Sequence, residues 1–204
     1  MTDHVLHTEH FDREAGKLGM WIFLFTEMFL FGGLFLVYAV MRARYSQEFH
    51  TAAIDLNTFI GTLNTVFLLT SSMTVAMSIT AIQRNQRGLA LVLILITLLL
   101  AALFMVNKYI EWSHEFASGV HPGSEVLRNK PHGELMFFGL YFMMTGLHAL
   151  HVFVGMVLLS VNFVRIRNGS INRENFLLLE NSGLYWHLVD LIWIFLFPLL
   201  YLVS

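Results

Sequence analysis

Six ionisable residues sit inside long apolar runs of this 204-residue chain: Glu27, His148, His151, Glu180, His187 and Asp190. An ionisable side chain placed in hydrocarbon is costly, so each needs a partner and each is a functional candidate. Glu27 lies ten residues into its run, which at 1.5 Å per residue is roughly 15 Å deep, near a bilayer midplane. Tyr38 and Leu34 share its helical face. Two readings stay open for it: a neutral, hydrogen-bonded carboxyl that fixes helix packing, or a group tied to lipid head groups or proton movement.

The histidines fall into two stripes. Tyr141, Met144, His148, His151 and Gly155 lie within about 80° of one another on a helix. Glu180, Gly183, His187, Asp190 and Ile194 make a second stripe. Facing stripes would give a buried network of His148, His151, His187 and Asp190. An Asp190–His187 contact within one helix is the alternative. Such a set admits three chemistries. His148 and His187 could hold a haem between two helices, whereas His148 and His151 project from one side and could not. A histidine metal site is the second. The third, favoured here, is a hydrogen-bonded network that locks helices together, each bond being worth about 0.6 kcal/mol in a membrane.

A further set, Asn107, Lys108, Glu111, His114 and Glu115, crowds the end of another run. Lys108 and Glu111 are three apart and can pair. The expectation is a snorkelling charge cluster at the membrane interface. His4, His7 and His10 recur every third residue near the start, and exposed histidines on a terminal segment are the expectation there.

The elements that must carry these residues are helices. Five apolar runs, about 18–41, 58–82, 88–112, 134–164 and 176–203, are each long enough to cross some 30 Å of hydrocarbon. Asp55 and Asn57 are cap candidates for the second run, and Pro198 interrupts the hydrogen bonding of the fifth. Alternation of the barrel kind is absent. The fold class is therefore all-α: a single transmembrane domain, 1–204, built as a bundle of five transmembrane helices. Leu135 to Ser160 reads as its organising helix, with the other runs packed around or beside it. The segments 42–57 and 113–133 read as its longest loops. Thr70, Thr74 and Ser78, the set Ser72, Ala76 and Thr80, and the pair Gly139 and Gly146 read as close-packing positions.

Composition agrees. Hydrophobic residues make up 56% of the chain and charged ones 13%, and a soluble domain would carry about 25% charge. The net charge of −2 gives no basic excess for nucleic acid. With no cysteine, disulfides, thiolate metal sites, iron–sulfur clusters and covalently attached haem are excluded. The polar first segment lacks signal-peptide order, so the first run is expected to be retained in the membrane. Seven Lys and Arg on one side against five on the other weakly favour a cytoplasmic N-terminus.

Three stretches carry a resemblance: "GMWIFLFTEMFLFGGLFLVY" from Gly19, "YFMMTGLHALHVFVGM" from Tyr141 and "GLYWHLVDLIWIFLFPLLYL" from Gly183. Together they resemble subunit III of the haem–copper terminal oxidases, in the short five-helix bacterial form of a family that also has seven-helix members. In the first stretch Glu27 matches the family's buried acidic position.

The resemblance implies a non-catalytic subunit that binds no cofactor or metal itself. It implies packing on subunit I, which carries the haems and copper, contact with the other oxidase subunits, and structural phospholipid in a cleft between helices. The implied complex is a proton-pumping cytochrome c oxidase of the aerobic respiratory chain, integral to the bacterial inner membrane. A quinol oxidase subunit III or a nitric oxide reductase accessory protein is the alternative. A stand-alone b-type cytochrome or an ion transporter is the reading from a different class. A haem–copper catalytic chain would need about six histidines on several helices, and the spans here hold three on two.

Overall fold

The computed structural model describes residues 2–54 and 56–202, with side chains described from Glu14 onward. Asp55 and the side chains of His4, His7 and His10 therefore lie outside the described residues. Among the described residues there are seven helices and no strand. They are α1 (Thr2–Arg44), α2 (Ser46–Ile54), α3 (Thr58–Gln83), α4 (Arg87–Ala117), α5 (Glu125–Arg128), α6 (His132–Arg167) and α7 (Leu177–Tyr201). Five of them are long and apolar enough to cross a membrane: the Glu14–Arg44 part of α1, and α3, α4, α6 and α7.

Helix starts follow local chemistry. The Asn57 side chain accepts from the backbone N–H groups of Phe59 and Ile60 at 3.0 and 3.2 Å, which satisfies two donors that the first turn of α3 leaves open. The carboxylate of Glu48, from α2, accepts from the Gly133 N–H and caps α6 from outside its own segment. Asn85 adopts φ 60°, which lets α3 reverse into α4 within a few residues. Gly169 does the same work after α6, at φ 78°.

Two segments expected as loops are partly helical. Residues 46–54 form α2 because Phe49, Ala52 and Ala53, at i, i+3 and i+4, share one face and are buried. Phe49 meets the Tyr38 ring at 5.4 Å and the Phe137 ring at 5.5 Å. In the second segment α4 runs on to Ala117 and α5 adds one short turn.

The most buried span is α7, although α6 touches α1, α2, α4, α5 and α7. Over half of the most apolar window of α7 is buried (56%), against 28% for α6 and 11% for α1. Apolar length could not reveal this, because all five runs have it. What sets α7 apart is its large buried aromatic groups: Trp186 and Trp193 donate to Ser71 and Thr65 of α3, Trp193 meets Phe104 of α4 and His148 of α6, and Tyr201 meets Lys108 of α4.

Close packing keeps Thr74, Ser78 and Gly146 of the expected positions, an added Cβ on Gly146 meeting the Trp112 ring at 3.2 Å, and replaces others. The buried small polar stripe of α3 is Ser71, Thr74 and Ser78, while Thr70, Ala76 and Thr80 face outward. A Cβ on Gly139 would meet nothing within 4 Å, whereas one on Gly155 would meet the Trp186 ring at 2.7 Å and one on Gly183 would meet Ile79 at 2.8 Å.

Candidate functional site

The polar residues of the spans divide into three nodes rather than one network. His148, His151, His187 and Asp190 are not joined to one another, because each histidine turns to a different neighbour.

In the first node α1 meets α6. His151 Nε2 lies 2.9 Å from Glu27 Oε2, and His151 Nδ1 lies 2.8 Å from the Leu147 carbonyl oxygen. A carbonyl only accepts, so Nδ1 carries its hydrogen. The contact on the other side of the ring then holds one shared proton. It sits either on the carboxyl or on the imidazole, and the pair has no net charge in both arrangements. That is how two ionisable groups coexist at membrane depth. The pair is almost enclosed, with 15% of Glu27 and 12% of His151 side-chain surface open. Phe31 packs edge-on against the His151 ring at 5.4 Å.

In Glu27→Gln an amide N–H can donate to Nε2 in place of the carboxyl. The variant is expected to assemble and to lose less than about 1 kcal/mol, the worth of one exchanged hydrogen bond. Membrane-fraction yield and melting temperature check this. Loss of assembly would mean that the proton resides on His151 and that the ion pair itself is required.

In the second node α3 meets α7. Ser72 Oγ lies 2.6 Å from His187 Nδ1, and Asp190, one turn further along α7, lies beside the same serine. Neither Asp190 oxygen has a hydrogen-bond partner within 3.5 Å. His187 therefore points at α3, away from His148. The latter is fully buried in α6 between Phe104, at 5.6 Å between ring centres, and Trp193, at 5.2 Å. These two histidines do not converge on a common axis, so the haem reading does not fit the residues present. Among the described residues no three His, Asp or Glu side chains converge as metal ligands.

The third node overturns an expectation. Lys108 and Glu111 do not snorkel; they are 3% and 5% exposed, and Glu115 is buried with them. Lys108 Nζ donates to Glu111 Oε1 at 2.9 Å, to the Tyr201 hydroxyl at 2.9 Å and to the Tyr141 hydroxyl at 3.3 Å. Both tyrosine hydroxyls donate to the same Glu111 oxygen. The ammonium also lies 5.6 Å from the centre of the Trp193 ring, within cation–π range. One ion pair thus ties α4 to α6 and α7. His114, grouped with it by sequence, is exposed and outside this node. The tyrosines, 33 and 93 residues from Lys108, could not be assigned to it from spacing.

Glu180 stands apart on the surface, 3.2 Å from Lys17 at the start of the first span. With 34% and 49% of the two side chains exposed, that pair is worth at most about 1 kcal/mol.

Neutral pairs complete the pattern. Asn107 donates to Asn64, Trp186 to Ser71, Trp193 to Thr65 and Asn162 to Ser182, each bond crossing between two helices. Chemically, this is a set of staples that fixes the relative positions of the spans, with one proton-sharing pair, Glu27–His151, near the bundle's edge.

The comparisons with known proteins agree on what carries these staples. A family model described as cytochrome c oxidase subunit III matches residues 2–204. Cytochrome c oxidase subunit 3 of Thermostichus vulcanus is 31% identical over 192 residues, covering 92% of this chain and 87% of that protein. A probable quinol oxidase subunit 3 of Staphylococcus epidermidis is 29% identical over 195 residues, 94% of this chain and 90% of that protein. The heme-copper oxidase subunit I+III of Aeropyrum pernix is 29% identical over 207 residues; the match takes in 97% of this chain but spans only 24% of that longer protein. With five membrane-length helices held by interhelical polar staples and a family match from end to end, this chain belongs to the cytochrome c oxidase subunit III family.

Proposed function

We propose that this chain is the non-catalytic subunit III of a proton-pumping haem–copper terminal oxidase of the aerobic respiratory chain. It packs on subunit I and stabilises it, and it retains phospholipid. The haems and copper belong to the partner subunits. The setting is a bacterial inner membrane, with the N-terminus in the cytoplasm. The observation that carries this reading is the family match over the whole chain. The Aeropyrum relative supports the choice of partner, since its name joins I and III in one polypeptide. The internal pairing of Glu27–His151 and Lys108–Glu111 supports a structural role, because these groups are spent on holding helices.

The preferred electron donor is cytochrome c, as in the name of the Thermostichus relative. A quinol donor is the second reading, favoured by the staphylococcal relative, which is matched over 90% of its own length.

A tagged chain purified in mild detergent tests both. The expected result is a co-purifying haem–copper subunit I and oxygen uptake driven by reduced cytochrome c. Uptake driven by quinol alone would move the assignment to the second reading. The chain purified free of partners should show no haem band on dithionite reduction. A band that follows it and disappears in His148→Ala would overturn the accessory-subunit reading.

A further inference from the structure

The chain has six tyrosines, and what their hydroxyls meet separates them. Tyr38 donates to the Leu199 carbonyl and Tyr185 to the His151 carbonyl. Tyr45 packs against Arg44 and the His132 ring, and Tyr109 is 75% exposed. Tyr141 and Tyr201 are fully buried, and both donate to one carboxylate oxygen, Glu111 Oε1. A main-chain carbonyl cannot hold a phenol's proton, whereas a carboxylate within hydrogen-bond reach can take it. The other oxygen of that carboxylate, Oε2, is buried and has no hydrogen-bond partner among the described residues.

Pairing a phenol with a base changes its redox chemistry. A tyrosine that loses an electron becomes a strong acid, so its oxidation is slow unless the hydroxyl proton leaves with the electron. A carboxylate already bonded to the hydroxyl lets both leave together. Stacked and edge-on rings give the electron a route. Tyr201 lies 6.3 Å from the Trp193 ring. Tyr141 lies 5.1 Å from Phe142, which meets Trp112 and Phe116, each at 5.7 Å. Half of Phe116 is exposed, so contiguous rings lead from the buried pair to the surface.

We infer that Tyr141, Tyr201 and Glu111 form a redox-active site that takes up one oxidising equivalent as a neutral tyrosyl radical. In the step one phenol O–H bond breaks. The proton goes to Glu111 Oε1, and the electron goes along the rings to a one-electron oxidant stronger than tyrosine, which is reduced. An electron from a one-electron reductant and the proton from Glu111 restore the phenol. The departing electron leaves one positive charge behind. Glu115, buried beside the pair and close enough to act on Lys108 by its charge, balances it. Enclosure keeps the radical from water and from a second radical. The same hydrogen bonds that staple α4 to α6 and α7 thus carry a second activity, the holding of a stray oxidising equivalent. The inference takes one thing from the proposed function: in the assembled complex the oxidant is a metal centre of the partner subunit.

The test uses the full chain in mild detergent. Ruthenium(III) tris-bipyridine, generated by a flash, is the oxidant, and electron paramagnetic resonance is the readout. The expected result is a tyrosyl signal that outlasts that of an exposed tyrosine, survives Tyr109→Phe and disappears in Tyr141→Phe/Tyr201→Phe. Lys108→Met/Glu111→Gln removes the base without stranding a charge. It should slow formation of the radical at least about a hundredfold, the usual worth of a positioned proton acceptor. Melting temperatures show that the variants are folded. An unsubstituted chain that gives only a short-lived signal, lost in Tyr109→Phe, would overturn the inference without recourse to the buried variants. A persistent signal unchanged in either double variant would overturn it as well. The radical is read on this chain alone and the partnership by co-purification of subunit I, so failure of one leaves the other standing.

Discussion

Lys108→Met is expected to cost the bundle about 3–5 kcal/mol, the usual penalty for leaving one member of a buried ion pair alone. Without the ammonium, the Glu111 carboxylate stays in the interior with only the Tyr141 and Tyr201 hydroxyls to stabilise it. The loss falls on three helices at once, since Lys108 and Glu111 belong to α4, Tyr141 to α6 and Tyr201 to α7. The expected readout is a sharp fall in monodisperse protein on fluorescence size-exclusion and a lower melting temperature. Adding Glu111→Gln to Lys108→Met removes the stranded charge and keeps an oxygen that both tyrosines can reach. The double variant should therefore recover most of the loss. A Lys108→Met chain as stable as the parent, or a double variant worse than the single one, would show that this ion pair does not hold the end of the bundle together.

The second large effect is expected at Gly155→Leu. The ring of Trp186 lies where the new side chain would begin, 2.7 Å from an ideal Cβ. Trp186 is fully buried and donates its indole N–H to Ser71 at 3.0 Å, so it has little room to move. Overpacking together with a lost indole hydrogen bond gives a destabilisation of about 2–4 kcal/mol. Thermal unfolding followed by tryptophan emission reads it directly, and the emission should shift as Trp186 leaves its site. Trp186→Phe, which frees space on the same ring face, should partly rescue Gly155→Ala. A Gly155→Leu protein with unchanged melting and emission would mean that α6 and α7 are not in close contact at this level.

Both positions show where reading the chain alone stops. Gly155 shares a stripe with His148 and His151, and that periodicity follows from the helix. Which neighbour it touches does not. Lys108 and Glu111, three residues apart near the end of an apolar run, look the same in a sequence whether they reach the interface or pair inside. The deciding partners, Tyr141 and Tyr201, come from other helices.

The sequence by itself determined the five spanning helices and the class. Five runs of membrane length, few charges and no strand alternation leave helices as the means of satisfying the backbone in hydrocarbon. The motifs around Glu27, His148 and His187 were enough to indicate the family. Short α2 was missed because its buried face is only Phe49, Ala52 and Ala53, too few residues to stand out.

The tertiary structure alone decided the pairing. It joined Glu27 to His151 across 124 residues, sent His187 to Ser72 rather than to His148, and turned an expected surface cluster into a buried ion pair. It also made α7 the most buried of the spans. The physical reason is common to all of these. Periodicity fixes which face of its own helix a side chain occupies, but only the packing of all the helices fixes what lies opposite that face.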